Sequence, residues 1–234
     1  MKTRRLFPPF VSLLFCVAFI APSASAVLIT WNLNPDNLNQ DVGSTSRTYT
    51  QSGYQIVARG YDNVSGPDTP HGLFYKSTGP IGGASEIGLG LVGTLDNELQ
   101  VNTDGTVQNY IQLDLRSLFS QGFTNGALSV GSIQPGESFR LFGSNTQGSL
   151  GTQLGGTWDS SVDGQFVAIP SFGTYGFISI ASATDDVMPV AFRASIQPIP
   201  EASTLIPIAA LIAAVLCSSH RLHRCGVPRV RVRS

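Results

Sequence analysis

Tyr110-Ile111-Gln112-Leu113-Asp114-Leu115 alternates strictly between apolar and polar side chains. Ile111, Leu113 and Leu115 fall on one face and Gln112 and Asp114 on the other, the period-2 pattern of a half-buried strand. A helix would need apolar residues three and four apart, and no long stretch of the chain has that period. Leu113 to Phe119 allows at most a short helical turn, which Gly122 and Gly126 stop.

The same reading extends in both directions along the chain. Val27-Leu28-Ile29-Thr30-Trp31, Gly53 to Ala58, Leu73-Phe74-Tyr75, Ser138 to Phe142 and Tyr175 to Ile180 are short runs rich in aromatic and β-branched residues. Gly53 to Ala58 and Leu73 to Tyr75 are each closed by glycine, proline or aspartate, the residues that turns favour. Val190 to Ile196 places Val190, Phe192, Ala194 and Ile196 on one side and Arg193 and Ser195 on the other. Trp31 and Tyr175, inside such runs, are expected in the core. Strands at short spacing with glycine-rich connections predict an all-β fold, an antiparallel β-sandwich of jelly-roll type. Gly143 to Gly151 reads as a turn-rich connection, because it lacks the lysine and the strand-to-helix setting of a phosphate loop.

Charge is distributed unevenly over the 234 residues. Lys2, Arg4 and Arg5 open the chain, and Arg221, Arg224, Arg229, Arg231 and Arg233 close it. Between Val27 and Pro198 six basic residues face fourteen acidic ones, a formal net charge of −8. An acidic body excludes nucleic acid as a partner, since phosphate recognition needs a cationic face. Cys16, Cys217 and Cys225 all lie in the terminal segments, so the central region can hold neither a disulfide nor a thiolate metal site.

The two ends read as addresses. Residues 1–26 have a basic start, an apolar core from Val11 to Ile20 and the small-residue box Ala24-Ser25-Ala26. That is a secretory signal peptide, with cleavage expected before Val27. At the other end, Pro198 to Thr204 leads into the apolar run Leu205 to Cys217, followed by the arginine-rich tail. The arginines resist translocation and hold the tail inside while the domain lies outside. With Ser218 and Ser219 the run reaches ~15 residues, short of the ~17–25 of a stable span, so the C-terminal hydrophobic helix reads as a temporary membrane anchor. The organisation is then a signal peptide at 1–26, a β-sandwich domain at 27–197 and a C-terminal segment at 198–234.

Pro200-Glu201-Ala202-Ser203-Thr204, the apolar run and the arginines, in that order, resemble the PEP-CTERM sorting signal of bacteria with exopolysaccharide-producing envelopes. Ala202 stands where the family has its second proline. The resemblance implies recognition of Pro200, Glu201 and Ala202 by a transpeptidase-like membrane enzyme, an exosortase, which releases or transfers the protein. Two further patterns look like ones seen in secreted PEP-CTERM β-sandwich domains. They are Gly88-Leu89-Gly90-Leu91 followed by Asp96-Asn97-Glu98-Leu99, and Tyr110 to Leu115 ahead of Phe142-Gly143-Ser144-Asn145.

Candidate chemistry is sparse. Catalytic hydrolysis needs a positioned base with a nucleophile or an activated water. The only central histidine, His71, sits in a proline-rich loop and reads as a surface residue, and no Gly-x-Ser-x-Gly elbow is present. Glu86, Glu98 and Glu137 are the only central glutamates, and nothing in their spacing selects a pair for glycoside cleavage. Asp96, Asn97, Glu98 and Asp104 place oxygen atoms on two neighbouring loops, a candidate calcium set, with Asp185 and Asp186 as a further acidic point. Among the aromatics, Trp158 in Gly155-Gly156-Thr157-Trp158-Asp159 is the candidate glycan platform.

The expected protein is therefore an exported, non-catalytic surface or matrix component, structural or associated with exopolysaccharide. The alternatives are a membrane-anchored carbohydrate-binding module and a small secreted hydrolase.

Overall fold

The computed structural model describes residues 26–63, 67–78 and 86–196. The expected sorting motif Pro200 to Thr204, the apolar run after it, and Ala24 of the expected signal box lie outside the described residues. Among the described residues no helix is long and apolar enough to cross a membrane.

The structure is all-β and antiparallel. Its largest sheet runs in the order β12 (Thr152–Asp159), β11 (Ser138–Ser144), β14 (Phe177–Thr184), β9 (Asn109–Asp114), β4 (Tyr54–Asp62) and β3 (Ser46–Gln51), with β5 (Thr69–His71) also on β4. A second sheet runs β1 (Val27–Asn32), β15 (Asp186–Ile196), β10 (Phe123–Gly131) and β13 (Phe166–Ala168), with β8 (Leu99–Gln100) also on β15. A third, smaller sheet is β2 (Gln40–Asp41), β6 (Leu73–Ser77) and β7 (Ile87–Leu91).

All three sheets share one core. Ile29, Trp31, Leu128 and Phe192 from the second sheet meet Ile56, Ile111, Leu113, Phe139, Leu141 and Ile180 from the first, and Leu73, Tyr75, Leu89 and Leu91 from the third. Trp31 packs its ring on Phe192 at 5.4 Å and donates its indole N–H to the Tyr54 carbonyl at 3.2 Å, so its one polar atom is satisfied inside. The strand at Tyr110 to Leu115 forms as its alternation predicts. Its polar face, however, is not solvated. A second apolar cluster of Tyr61, Val107, Tyr110, Phe142 and Ala181 covers that side of the large sheet.

Gln112 is therefore fully buried, against the expectation of a solvent-facing residue. Its amide nitrogen donates to the Ser149 carbonyl at 3.0 Å and to Ser179 Oγ at 3.3 Å, and its Oε1 accepts from the Gly148 N–H at 2.9 Å. These bonds make burial tolerable and tie the turn-rich connection after β11 to the middle of the sheet.

Three further expectations shift. Gly126 does not stop a helix; it lies in β10, its α-carbon against the Phe172 ring, while the short helix α1 (Arg116–Ser120) ends before Gly122. Tyr175 precedes β14 rather than lying in it, and its ring lies against Gly143. Val190 falls at a register shift between β15 and β10, where Ser129 pairs with Ala191 and Val130 with Pro189, so it leaves the buried face that Phe192 and Ala194 hold.

Local chemistry fixes the turns that matter most. Gln51 pairs with Tyr54, leaving Ser52 and Gly53 as a two-residue loop with φ of 51° and 82°. Two successive left-handed residues give the hairpin turn whose twist matches its strands. Asp185, at φ 59°, is the single residue between β14 and β15 and carries the chain from the large sheet to the second one.

Candidate functional site

The one lysine between Val27 and Ile196 is Lys76, the fourth residue of the apolar strand β6. It shares a strand face with Phe74, opposite Leu73 and Tyr75 of the core, and is nevertheless only 5% exposed. A buried ammonium is expensive unless paired, and Lys76 is paired twice. Its Nζ lies 2.7 Å from Glu86 Oε2 and also contacts Glu98 Oε1. Ser132 Oγ bridges the two carboxyls, 2.8 Å from Glu86 Oε1 and 3.0 Å from Glu98 Oε1. Glu98 Oε2 is buried with no donor, and Glu86 Oε2 meets Nζ as an ion pair off the line of a hydrogen bond.

Each member is delivered by a different element. Glu86 directly precedes β7, and Ser132 directly follows β10. Glu98 lies between β8 and a 3-10 turn at Leu95–Asn97, and that turn sits directly over Gly90 of β7. A Cβ at Gly90 would lie 1.7 Å from the Asn97 carbonyl oxygen, so only glycine lets the turn seat and Glu98 reach Lys76. Asp96, Asn97, Ser132 and Asp185, all near this cluster, hold left-handed φ angles of 52° to 59°. Such conformations cost non-glycine residues ~1 kcal/mol or more each and persist where the surroundings impose them.

The cluster is electrostatically unbalanced, with two carboxyls for one ammonium. Burial, then the adjacent Glu86 carboxyl, pushes Glu98 up to about 8 against the pull of Lys76. Glu98 is thus the protonated member at neutral pH. Burial also works against the Glu86 carboxylate, but hydrogen bonds with Glu98, Lys76 and Ser132 hold it below its ordinary value. On Lys76 burial acts downward, and the bonds to Glu86 and Glu98 more than offset it. Around this triad the acidic field continues. Glu137 is raised to about 7 by burial and by repulsion from Asp186, Asp185 and Glu86, despite the Gln134 N–H at 2.6 Å. Asp186 is raised to about 6 by burial, Asp185 and Asp96.

The residues singled out from the sequence are dispersed by the fold. Asp96 is exposed, Asn97 uses its Oδ1 to accept the Gly93 N–H at 3.0 Å, and Glu98 is turned inward to Lys76. Asp104 sits in a separate exposed turn, capping Thr106 N at 2.9 Å and Oγ1 at 2.6 Å. Among the described residues no three acidic, histidine or cysteine side chains converge as cation ligands. Trp158 is half-buried and stacked on Phe139 at 5.3 Å, so one face of its ring is committed to the core. His71 is half-buried rather than free on the surface: Nδ1 lies 2.8 Å from Asp62 Oδ1 and Nε2 lies 2.7 Å from the Val92 carbonyl. Both ring nitrogens face acceptors, which leaves neither to activate a nucleophile. Ala26 is exposed ahead of β1, and Val27 is the first residue of that strand.

Glu86 and Glu98 are a carboxyl pair that spacing did not select. The signal that could have found them is scarcity: a single lysine inside an apolar strand, and only three glutamates to meet it. At 1% exposure each, the two carboxyls are closed to a polysaccharide chain. No family model matches the chain, and no curated protein or solved structure is matched either.

Proposed function

We propose that this chain is an exported, non-catalytic surface or matrix protein whose domain is an antiparallel β-sandwich of jelly-roll type. An N-terminal signal is removed before Val27. A PEP-CTERM-like signal at residues 198–234 anchors the chain transiently and is processed by an exosortase-type enzyme, leaving the domain in an exopolysaccharide-rich envelope or matrix.

The observation that carries this reading is the pairing of Val27 with Ile196 across β1 and β15. The first residue expected after signal cleavage and the last strand residue before the Pro198 linker stand opposite each other. Cuts before Val27 and after Ile196 leave every strand of the described residues in place. The shared core of the two larger sheets supports the sandwich, and the fold commits the potential chemical groups to structure: His71 to two acceptors, Glu86 and Glu98 to Lys76.

The test is expression in a host with and without an exosortase-type enzyme, followed by immunoblotting of membrane, envelope and medium. The reading expects a shortened form outside the membrane fraction only when the enzyme is present. An identical full-length, membrane-bound form in both hosts would contradict it.

A further inference from the structure

An ammonium and two carboxyl groups held together away from water are the reactants and the proton carrier for an amide bond. In water, an amine and a carboxylic acid meet as two ions and do not condense. Three features of the cluster remove that obstacle. Lys76, Glu86 and Glu98 are all at least 95% buried. The Lys76 Nζ is in contact with a carboxyl oxygen of each glutamate. Lys76 and Ser132 both hold Glu98 Oε1, so Oε2, which neither contacts, is the oxygen free to leave.

We propose that Lys76 and Glu98 are joined by an intramolecular isopeptide bond, formed in the folded domain with Glu86 as proton carrier. The resting state holds Lys76 as ammonium, Glu86 as carboxylate and Glu98 as carboxylic acid. The ammonium gives a proton to Glu86 Oε2, 2.7 Å away, and the freed Nζ lone pair attacks Glu98 Cδ. A C–N bond forms, and negative charge gathers on Glu98 Oε1, where Ser132 Oγ at 3.0 Å donates a hydrogen bond. Glu86 then protonates Oε2, the C–O bond breaks and water leaves. The carboxylate so regenerated takes the surplus proton from nitrogen. Atoms balance: ammonium, carboxylate and acid become amide, water and protonated Glu86, with no oxidant or outside reagent.

Two arguments favour the product. The amide removes a buried ion pair whose desolvation is a standing cost. Proximity supplies the rest, since well-oriented groups inside a protein react as if at effective concentrations of roughly 10⁵–10⁸ M. The bond spans 22 residues and ties β6 to the segment before β8. It restricts the unfolded chain as a disulfide would, in a domain that has no cysteine between Val27 and Ile196.

The chain lends itself to a direct test. Trypsin cuts after Arg59, Lys76 and Arg116 in this region. With Lys76 acylated, denatured wild-type protein should yield one peptide, 60–116, about 18 Da lighter than its sequence. Fragment ions should branch from Lys76 to Glu98. Separate unmodified peptides 60–76 and 77–116, or a 60–116 peptide of full mass, would overturn the proposal; so would a branch at Glu86. Glu86→Gln, which keeps the volume but cannot carry the proton, should restore cleavage at Lys76 while circular dichroism stays β-rich. Cross-linking at the wild-type level in that variant would remove Glu86 from the mechanism.

Discussion

Replacing Lys76 with methionine keeps the length of the side chain and removes its charge, which leaves two buried carboxyls with no cation. Breaking a buried ion pair from one side typically costs about 3–5 kcal/mol, because the remaining charge stays desolvated. Here the carboxyls can escape by binding protons, so the cost depends on pH. Without the ammonium, both carboxyls in the folded state titrate above their unfolded value, roughly 4.3. A group raised in this way gives its full stability below the unfolded value and loses it as pH rises through the folded one. Lys76→Met should therefore be most stable near pH 5, losing up to about 1.4 kcal/mol per pH unit for each carboxyl still protonated. Urea unfolding of variant and wild type at pH 5 and pH 8 reads this directly. The variant itself should lose several kcal/mol between the two pH values, or on the order of 10 °C in melting temperature for a domain of this size. In the amide-linked wild type Glu98 no longer titrates, so the change within the variant, not its gap to the wild type, reports charge. Equal stability of the variant at pH 5 and pH 8 would refute the electrostatic reading of the cluster.

Three other perturbations follow from the same geometry. Gln112→Leu removes three hydrogen bonds and strands the Gly148 N–H and Ser149 carbonyl; we expect a loss of about 2–4 kcal/mol in chemical denaturation, and a loss under 0.5 kcal/mol would show those groups find water. Glu137 and Asp186 are raised to about 7 and about 6, so the stability they contribute is full below pH ~4 and declines as pH rises through those values. Glu137→Gln with Asp186→Asn should flatten the fall in melting temperature between pH 5 and pH 8, and an unchanged slope would contradict the assignment. Gly90→Ala drives a methyl into the Asn97 carbonyl; overpacking of this kind costs about 1–3 kcal/mol and should lower the fraction of Lys76 protected from trypsin. Full protection with normal stability would show that the turn at Leu95–Asn97 seats elsewhere.

The faces that meet the main core were legible. Trp31 on β1 and Phe192 and Ala194 on β15 point inward as alternation requires, and so do Ile111, Leu113 and Leu115. Alternation misled at Gln112, because a second apolar cluster built from residues as distant as Tyr61 and Ala181 covers the face that a lone strand would leave to solvent. Period-2 logic also broke at Val190, where an irregularity in pairing with β10 adds a residue that no local pattern announces. Strands of two or three residues, such as Gln40–Asp41 and Leu99–Gln100, are too short for any periodicity to register. The buried cluster was legible only in part. Glu98 stood out as an oxygen ligand on a loop, but its partners Lys76, Glu86 and Ser132 are 12 to 34 residues away in sequence and meet it only through tertiary packing. Its direction was therefore read backwards, toward solvent instead of toward the one lysine.

The paired ends of the domain at Val27 and Ile196 make the strongest demand on experiment. Mass spectrometry of both termini of the protein recovered from its native envelope tests it most directly. The account predicts a chain that begins at Val27 and ends before the arginine tail, with Arg221 to Ser234 absent. A mature protein that still carries Arg221 to Ser234 would contradict sorting by removal of the C-terminal signal, and one that starts at Met1 would contradict export by a cleaved leader.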